Sequence, residues 1–366
     1  MTVIAKYKLD ELDIVFGDLL ITGPLLNDSH EVTTPAQGNV SNFFGDSGWG
    51  ISGLRQKVNI VSKNCVIAWA GDWLTAKIVI SSLHELSKTK DLTTEDIIFA
   101  VDKNPDIKAN SAQFLGLLFE NGEMITIYED DTIEFDSGKL GKVYAAGSGV
   151  GAIKDFSTML ERAEFSPNDL GIINGVAKSL AFGGFLLNTE WRERSSAVTL
   201  RSMFGGGYEI AFFSQGKMQK VAETTYLFWD ATLLQDEIRV SLPYFLLKQA
   251  YIDDHLLIRS FRLQDRDDQS VSLLDEQRLI IKPMFDTPHR PSIEKLKSLS
   301  FASNILCHCI VVRNREKPIA IYSHIQGFSN SSESDIIFEG NNENWTLGFR
   351  PKLFEAFIAA LQNLHV

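Results

Sequence analysis

The chain has 366 residues, 44% of them hydrophobic, which is long enough and apolar enough for two domains with ordinary globular cores. Its formal net charge of −12 argues against nucleic acid or an anionic membrane as the main partner. Three cysteines do not make a disulfide framework, and there is neither a signal-peptide pattern nor a long uncharged apolar run. We therefore expect a soluble, cytoplasmic protein with no nucleic-acid or membrane partner.

The chain opens with a hydroxyl residue and two short β-type runs. Residues 2–8 and 13–21 are typical of paired strands joined by a four-residue turn, and Asp18 lies near the end of the second run. Thr2 is small enough to permit removal of Met1, which would leave a hydroxyl and a free α-amino group on one residue. Because the α-amine titrates at about pH 8, such a residue can be nucleophile and base at once. On position alone, Thr2 is more typical of an ordinary starting residue.

A polar stretch and then a strand–strand–helix unit follow. Asn27–Gly53 is rich in Gly, Ser, Asn and Thr, which predicts a long loop. Three alternatives stay open for this loop: it covers the active-site cleft, it contacts a neighbouring subunit, or it is a surface insertion without a role. Lys57–Val61 and Cys65–Ala70 predict two strands, and Asp72–Ser87 predicts an amphipathic helix. A second helix is predicted to follow the cap at residues 93–96.

The same alternation of strands and helices continues to about residue 225. Asn121-Gly122 is a strong hairpin signal, and Gln215-Gly216 marks a second hairpin. The predicted elements are strands Phe114–Phe119, Met124–Tyr128 and Lys142–Ala146, helix Gly151–Glu161, a helix capped by residues 166–169 and running to about Leu187, and strands Tyr208–Phe213 and Met218–Glu223. This order favours an α+β fold.

The remaining part, Tyr226–Val366, alternates apolar runs with charged turns and predicts a further α+β domain of unknown role. Its predicted strands are Leu256–Leu263, Arg278–Lys282, Cys307–Arg313, Pro318–His324 and Asp335–Glu339. Pro351–Leu364 predicts a closing helix with one apolar face. Cys307 and Cys309 share a strand face without a second ligand pair at metal spacing, so we interpret them as core cysteines and expect no metal and no cofactor.

Three features in the first 225 residues carry a resemblance to a known family. They are the leading Thr2 with Asp18, then Lys57 opening an apolar strand with Gly71 at the following strand-to-helix step, and then the Ala145–Gly149 turn before a helix. In this order and spacing the chain resembles the proteasome β subunit and the peptidase subunit of the bacterial two-component protease. Both are N-terminal-nucleophile (Ntn) hydrolases.

The resemblance implies a fold, a domain division and an assembly. Residues 2–225 are expected to form the four-layer αββα sandwich of the Ntn hydrolases, with residues 226–366 as an added α+β domain. Members of the family self-assemble, so we expect a homo-oligomer. The C-terminal domain is a candidate site for a regulatory partner.

The resemblance also assigns the catalytic residues. Lys57 and Asp18 are expected beside the Thr2 hydroxyl, where an ammonium lowers the cost of alkoxide character and a carboxylate orients that ammonium. The backbone N–H of Gly71 is expected to stabilise the oxyanion, and Ser148 to assist the α-amine and a catalytic water. Taken alone, Asp18 is more typical of a strand-end turn and Lys57 of a solvated charge that opens a strand, and Ser148 is also typical of a turn and helix cap. Together with Thr2 and Gly71, they favour a catalytic function.

Substrate binding is assigned by the same resemblance to Thr22 and Trp69, although Trp69 is also typical of a strand core. The chain departs from the family at residues 200–207, where the expected Asp before the final Gly-Gly is missing. Either Ser202 partly substitutes for it or the site is weakened.

These features lead to one main hypothesis and two alternatives. The main hypothesis is a threonine-type peptidase or amidohydrolase that uses Thr2 to hydrolyse amide bonds in a peptide or protein substrate. The first alternative is a catalytically silent proteasome-like scaffold or binding subunit, which the missing Asp supports. The second is a non-peptide amidase of the wider Ntn class.

Overall fold

The computed structural model describes residues 2–24, 31–45, 47–102, 112–162, 174–234, 237–266, 270–301, 303–314, 317–327, 335–341 and 344–362. The strands in these ranges are β1 (Ile4–Leu9), β2 (Leu12–Asp18), β3 (Leu20–Pro24), β4 (Thr33–Thr34), β5 (Gly38–Asn39), β6 (Trp49–Leu54), β7 (Val58–Ser62), β8 (Cys65–Ala70), β9 (Gln113–Glu120), β10 (Glu123–Ile127), β11 (Ile133–Ser137), β12 (Gly141–Ala146), β13 (Tyr208–Ser214), β14 (Lys217–Lys220), β15 (Glu223–Leu234), β16 (Glu237–Val240), β17 (Phe245–Ile252), β18 (His255–Asp265), β19 (Ser270–Ile281), β20 (Ile305–Asn314), β21 (Lys317–Gly327), β22 (Ile336–Asn341) and β23 (Asn344–Phe349).

The helices in the same ranges are α1 (Trp73–Ser87), α2 (Thr94–Asp102), α3 (Val150–Arg162), α4 (Asn174–Glu193), α5 (Val198–Arg201), α6 (Ile293–Lys297) and α7 (Pro351–Gln362). The molecule is therefore of the α+β class that the sequence predicts. The cap predicted at residues 166–169 lies outside the described residues.

The first hairpin is tighter than predicted, and its second strand is shorter. Asp10 and Glu11 form a two-residue turn with φ angles of 47° and 68°, and Leu9 pairs directly with Leu12. The predicted strand 13–21 ends at Asp18, and the chain resumes as β3, which pairs with β6 instead. The end of β2 is important for the site because the carboxylate of its last residue, Asp18, accepts hydrogen bonds from Leu20 N and Gly205 N.

Two sheets in the first part of the chain pack against each other. Among the described residues, one sheet has the order β11-β12-β1-β2-β13-β14 and the other the order β10-β9-β8-β7. Ile4 and Val15 of the first sheet share an apolar core with Val66 and Leu117 of the second. Helix α1 packs on β7 and β8, whereas α3 and α4 pack on the first sheet.

A third sheet occupies the second part of the chain. Its strands are ordered β21-β20-β15-β17-β18-β19-β23-β22 within the described ranges, with β16 paired to β15. Strands β15 and β20 are parallel, and the other neighbours are antiparallel. Because β15 begins at Glu223, the sheet starts slightly before the predicted domain boundary, which itself stays a prediction. Helix α7 buries Leu353, Phe357 and Leu361 as its apolar face.

Helix α4 joins the two parts because it packs on both the first and the third sheet. Two consecutive glycines permit this double contact. A Cβ added at Gly183 would lie 3.5 Å from Tyr208 Cβ on the first sheet, and one added at Gly184 would overlap Cys309 Sγ on the third. Glycine within a helix lowers helix stability by roughly 1 kcal/mol relative to alanine. The packing that the two glycines allow between α4 and the sheets offsets this loss. One apolar core cluster therefore contains residues of both parts.

The segment predicted as a long loop, Asn27–Gly53, contains the short strands β4 and β5 and most of β6. Ser260 Oγ on β18 donates a 2.7 Å hydrogen bond to the Pro35 carbonyl, and Gln37 Nε2 donates to the Glu190 carbonyl on α4. The described part of this segment therefore packs on α4 and the third sheet. Residues 25–30 and 46 lie outside the described ranges.

No helix among the described residues is both long enough and apolar enough to cross a membrane. Cys307 and Cys309 are fully buried on one face of β20, with their sulfur atoms 3.8 Å apart. Cys309 belongs to the core shared with α4, as expected of a packing residue.

Candidate active site

The candidate nucleophile, Thr2, lies just before β1 and opposite the end of β2. Antiparallel pairing of Ile4 with Gly17 brings the start of the chain beside Asp18. The Thr2 hydroxyl donates a hydrogen bond to Asp18 Oδ1 and accepts one from Lys57 Nζ. Lys57 Nζ is 3.5 Å from Asp18 Oδ1, and all three side chains are at most 1% exposed. The structure therefore brings together the three residues assigned from the sequence.

The Asp18 carboxylate is held by backbone donors from three segments. Its Oδ1 accepts from Val3 N at 3.0 Å, and its Oδ2 accepts from Leu20 N at 3.1 Å and from Gly205 N at 2.8 Å. Hydrogen bonds to a carboxylate are stronger than those between neutral groups. Asp18 is thus fixed in one orientation towards the Thr2 hydroxyl.

Lys57 lies just before β7, with its amine in a buried environment. Its Nζ also donates to the Leu20 carbonyl at 2.8 Å and lies 5.0 Å from the centre of the Trp69 ring. Burial lowers the pKa of Lys57, and the negative charge of Asp18 opposes that shift. The amine is consequently closer to losing its proton than a solvent-exposed lysine.

A second buried carboxylate, Glu209 on β13, holds the backbone of the Lys57 segment. Its Oε2 accepts from Lys57 N at 2.6 Å and from Val58 N at 3.1 Å. Its Oε1 accepts from Lys220 Nζ at 2.7 Å and from the Tyr251 hydroxyl at 2.8 Å. Tyr251 belongs to the third sheet, so the C-terminal part of the chain supports the position of Lys57.

The predicted turn 147–149 encloses the Thr2 backbone. The Gly149 N–H donates to the Thr2 carbonyl at 3.0 Å, and Ser148 Oγ donates to the same oxygen at 3.5 Å. Gly147 has a φ of 90°, and a Cβ at this residue would overlap the Thr2 carbonyl oxygen, so glycine is required there. Ser148 therefore lies next to Thr2, as the sequence assignment requires.

The structure does not connect Gly71 to Thr2. Gly71 is exposed at the end of β8 with a φ of 88°, and no hydrogen bond to Thr2 exists among the described residues. Its role as an oxyanion donor stays a prediction.

The two residues assigned to substrate binding lie in different surroundings. Trp69 is fully buried in the core under α1, and its Nε1 donates to the Gln56 carbonyl at 3.0 Å. Thr22 on β3 is partly buried, and its Oγ1 is a buried hydroxyl that has no hydrogen-bond partner among the described residues. An unpaired buried hydroxyl is costly, which suits a group whose partner arrives with a substrate. Both assignments stay predictions.

Glu190 on α4 was not identified from the sequence. Its carboxyl group lies beside Gly206, within the stretch 200–207 that lacks the expected Asp. Glu190 is fully buried and accepts from Gly206 N at 3.2 Å and from the Tyr208 hydroxyl at 2.9 Å. The neighbouring N–H of Gly205 donates to Asp18, so consecutive amides link the two carboxylates. Burial raises the pKa of Glu190 to about 8. The sequence offered no signal for this position, because the helix was predicted to end at about Leu187 and the structure extends it to Glu193.

Comparisons with known proteins give a distant likeness. No protein-family model and no curated protein matches the chain. Among solved structures it is similar to the Anbu (Gly-1) mutant from Hyphomicrobium sp. strain MC1, with 14% identity and a TM-score of 0.36, over 60% of this chain and 88% of that chain. At this level of similarity the roles of individual residues depend on the geometry of the site alone.

Proposed function

We propose that this protein is an N-terminal threonine hydrolase that cleaves amide bonds in peptide or protein substrates. The observation that carries the proposal is the hydrogen-bonded group of Thr2, Asp18 and Lys57. A hydroxyl between an amine and a carboxylate, all shielded from water, is the arrangement that activates an alcohol as a nucleophile. The same proposal assigns residues 2–225 to the four-layer Ntn-hydrolase sandwich.

The first half of the reaction forms an ester on Thr2. Lys57 Nζ, already hydrogen-bonded to Oγ1, lowers the cost of deprotonating the hydroxyl. The α-amine freed by removal of Met1 has an ordinary pKa of about 8 and takes this proton. Oγ1 attacks the substrate carbonyl carbon, the carbon–nitrogen bond breaks, and the leaving amine receives the proton.

The second half of the reaction restores the enzyme. A water molecule attacks the ester carbonyl, the bond from carbon to Thr2 Oγ1 breaks, and the proton returns to the hydroxyl. Ser148 Oγ lies 3.5 Å from the Thr2 carbonyl oxygen, and this proximity supports its proposed role in assisting the α-amine and that water. Glu190 acts as a positioning residue, because it accepts from Gly206 N while the adjacent Gly205 N donates to Asp18.

Intact-mass spectrometry of protein purified without an N-terminal tag tests the proposal. The wild type is expected to lack Met1 and to gain the mass of one inhibitor after exposure to a peptide epoxyketone, which reacts with a hydroxyl and an α-amine on the same residue. The matched Thr2→Ala variant should also lose Met1 but gain no inhibitor. A wild-type chain that fully retains Met1, or that is labelled to the same extent as Thr2→Ala, rejects the proposal.

A catalytically silent scaffold is the second candidate, and a specific observation favours it. Thr2 and Asp18 have no solvent exposure, and residues 200–207 lack the expected Asp. A scaffold would keep the buried trio as a structural polar cluster. In that case Thr2→Val should cost stability, while a folded, processed wild type would hydrolyse neither a peptide library nor simple amides.

A further inference from the structure

A cavity of about 360 Å³ lies outside the Thr2 site, between the two parts of the chain. The first part contributes Arg55, directly after β6, and residues in the first turns of α1. The second part contributes the start of β18 and the segment after β19. The side chains that determine its chemistry are Arg55, Trp73, Lys77, His255, Lys282 and Arg290.

The residues that line the cavity are mostly cationic, although the protein as a whole is acidic. The chain has 35 Lys and Arg against 47 Asp and Glu, yet the lining holds four Lys or Arg and a single carboxylate, Asp286. That carboxylate is 99% exposed and lies 4.0 Å from Lys77. Among the described residues, Arg55, Lys282 and Arg290 form no ion pair. Three cations in one cavity therefore lack a negative partner.

Unpaired cations that share a cavity repel one another. Arg55, Lys282 and Arg290 are exposed, so water and salt screen part of this repulsion. An anion removes this penalty, and the planar guanidinium groups of Arg55 and Arg290 match carboxylate and phosphate oxygens in geometry. The charge pattern thus favours an anionic occupant over a neutral or cationic one.

The lining also contains fixed and apolar groups. Arg55 Nη1 donates to the Leu54 carbonyl at 2.8 Å, and its guanidinium lies 6.0 Å from the centre of the Trp73 ring. His255 is 2% exposed, and its Nδ1 lies 2.9 Å from the Asp253 carbonyl oxygen, which makes Nδ1 the donor. Phe285 stacks on His84 with ring centres 3.9 Å apart and forms part of the wall. An occupant would therefore meet the remaining N–H groups of Arg55 and rigid aromatic surfaces together.

We propose that this cavity binds a small organic anion, through its carboxylate or phosphate group, and so clamps the two parts of the chain together. The proposal does not depend on catalysis by Thr2. Both parts supply cations, Arg55 and Lys77 from one and Lys282 and Arg290 from the other, so a bound anion bridges them. The predicted consequence is stabilisation of the whole fold by the ligand.

Thermal unfolding and isothermal titration calorimetry at low ionic strength test the proposal with two probes, inorganic phosphate and citrate. Either probe should raise the unfolding temperature in a saturable manner, beyond sodium chloride at equal ionic strength. A response to phosphate alone identifies a phosphate ligand and a response to citrate alone a carboxylate ligand, and both outcomes support the proposal. No saturable response to either probe overturns it.

Matched variants test whether the probes bind in this cavity. Lys282→Gln and Arg290→Gln should each weaken probe binding at least tenfold, whereas Lys217→Gln, an exposed lysine in the β13–β14 hairpin, should leave it within twofold. Without a probe, Lys282→Gln should unfold at the same temperature as the wild type or higher, because it removes repulsion. Equal loss in the cavity variants and in Lys217→Gln would show that binding is non-specific and would overturn the proposal.

Discussion

Lys57 Nζ donates a hydrogen bond to Thr2 Oγ1 although the two residues lie 55 positions apart. Thr2 precedes the first strand of one sheet, and Lys57 precedes β7 of the sheet packed against it. The contact therefore exists because the two sheets stack. It gives the proposed nucleophile a cationic neighbour in a region without solvent.

The first prediction compares two lysines. Lys57→Ala should reduce kcat/KM by a factor of about 10² to 10³, because one positioned electrostatic partner is lost. Lys63→Ala is the matched control, since its side chain is 67% exposed and its ion pair is with Asp91, away from Thr2. Steady-state kinetics with a peptide substrate measures both. If the two variants behave alike, Lys57 does not have the assigned role.

The second prediction concerns the carboxylate. Asp18→Asn replaces one acceptor oxygen by an amide donor, although Val3, Leu20 and Gly205 all present N–H groups to this side chain. We expect a loss of stability of roughly 1–3 kcal/mol together with a loss of rate. Urea unfolding and kinetics on the same preparation separate the two effects. A variant with unchanged stability and unchanged rate would contradict the described hydrogen bonds.

The third prediction is a pH dependence from Glu190. Its pKa of about 8 in the fold exceeds its ordinary value of 4.5, so the folded state binds the extra proton between these two pH values. The contribution of this group to the free energy of unfolding is therefore fully present below pH 4.5 and is lost as the pH rises towards about 8. Glu190→Gln should flatten this slope in thermal unfolding, whereas Glu95→Gln, an exposed residue of α2, should leave it unchanged. Identical slopes in wild type and Glu190→Gln would contradict the raised pKa.

The fourth prediction tests the shared core. Gly184→Ala should destabilise the protein by roughly 1–3 kcal/mol, because the new methyl group overlaps Cys309 Sγ. Gly183→Ala has room, with its nearest neighbour 3.5 Å away, and should be neutral or gain about 1 kcal/mol of helix propensity. Adding Cys309→Ala to Gly184→Ala should restore part of the loss. Equal effects of the two glycine substitutions in chemical unfolding would show that α4 does not pack this closely on β20.

The fifth prediction concerns assembly. Leu74, Ile78 and Ile98 on α1 and α2 are 54–56% exposed, which leaves apolar surface on the outer side of these helices. We expect a homo-oligomer that buries this surface, and Ile78→Glu should shift it towards monomer in sedimentation at micromolar concentration. Ile293→Glu is the control, because Ile293 is equally exposed at 56% but lies on α6. A wild type that sediments only as monomer contradicts the expectation.

Local chemistry explains what the sequence predicted well. Asp72 caps α1 by accepting from Thr75 N at 2.8 Å, and Asn121-Gly122 turns β9 into β10 with positive φ at both residues. Such signals act within a few residues, so they can be recognised without knowledge of the fold. The expected neighbours of Thr2, namely Asp18, Lys57 and Ser148, came from a motif order, and the structure places all three beside it.

Tertiary structure decided the features that depend on distant partners. The sequence alone gave no sign that Glu209 holds the Lys57 backbone, that Glu190 lies beside Gly206, or that Gly184 faces Cys309. Each contact joins elements whose relative position depends on how sheets and helices stack. Burial then changes the chemistry of these groups, since removal of water raises the pKa of Glu190 and lowers that of Lys57. Residue type and spacing determined which groups are present, and desolvation in the packed core determined what those groups can do.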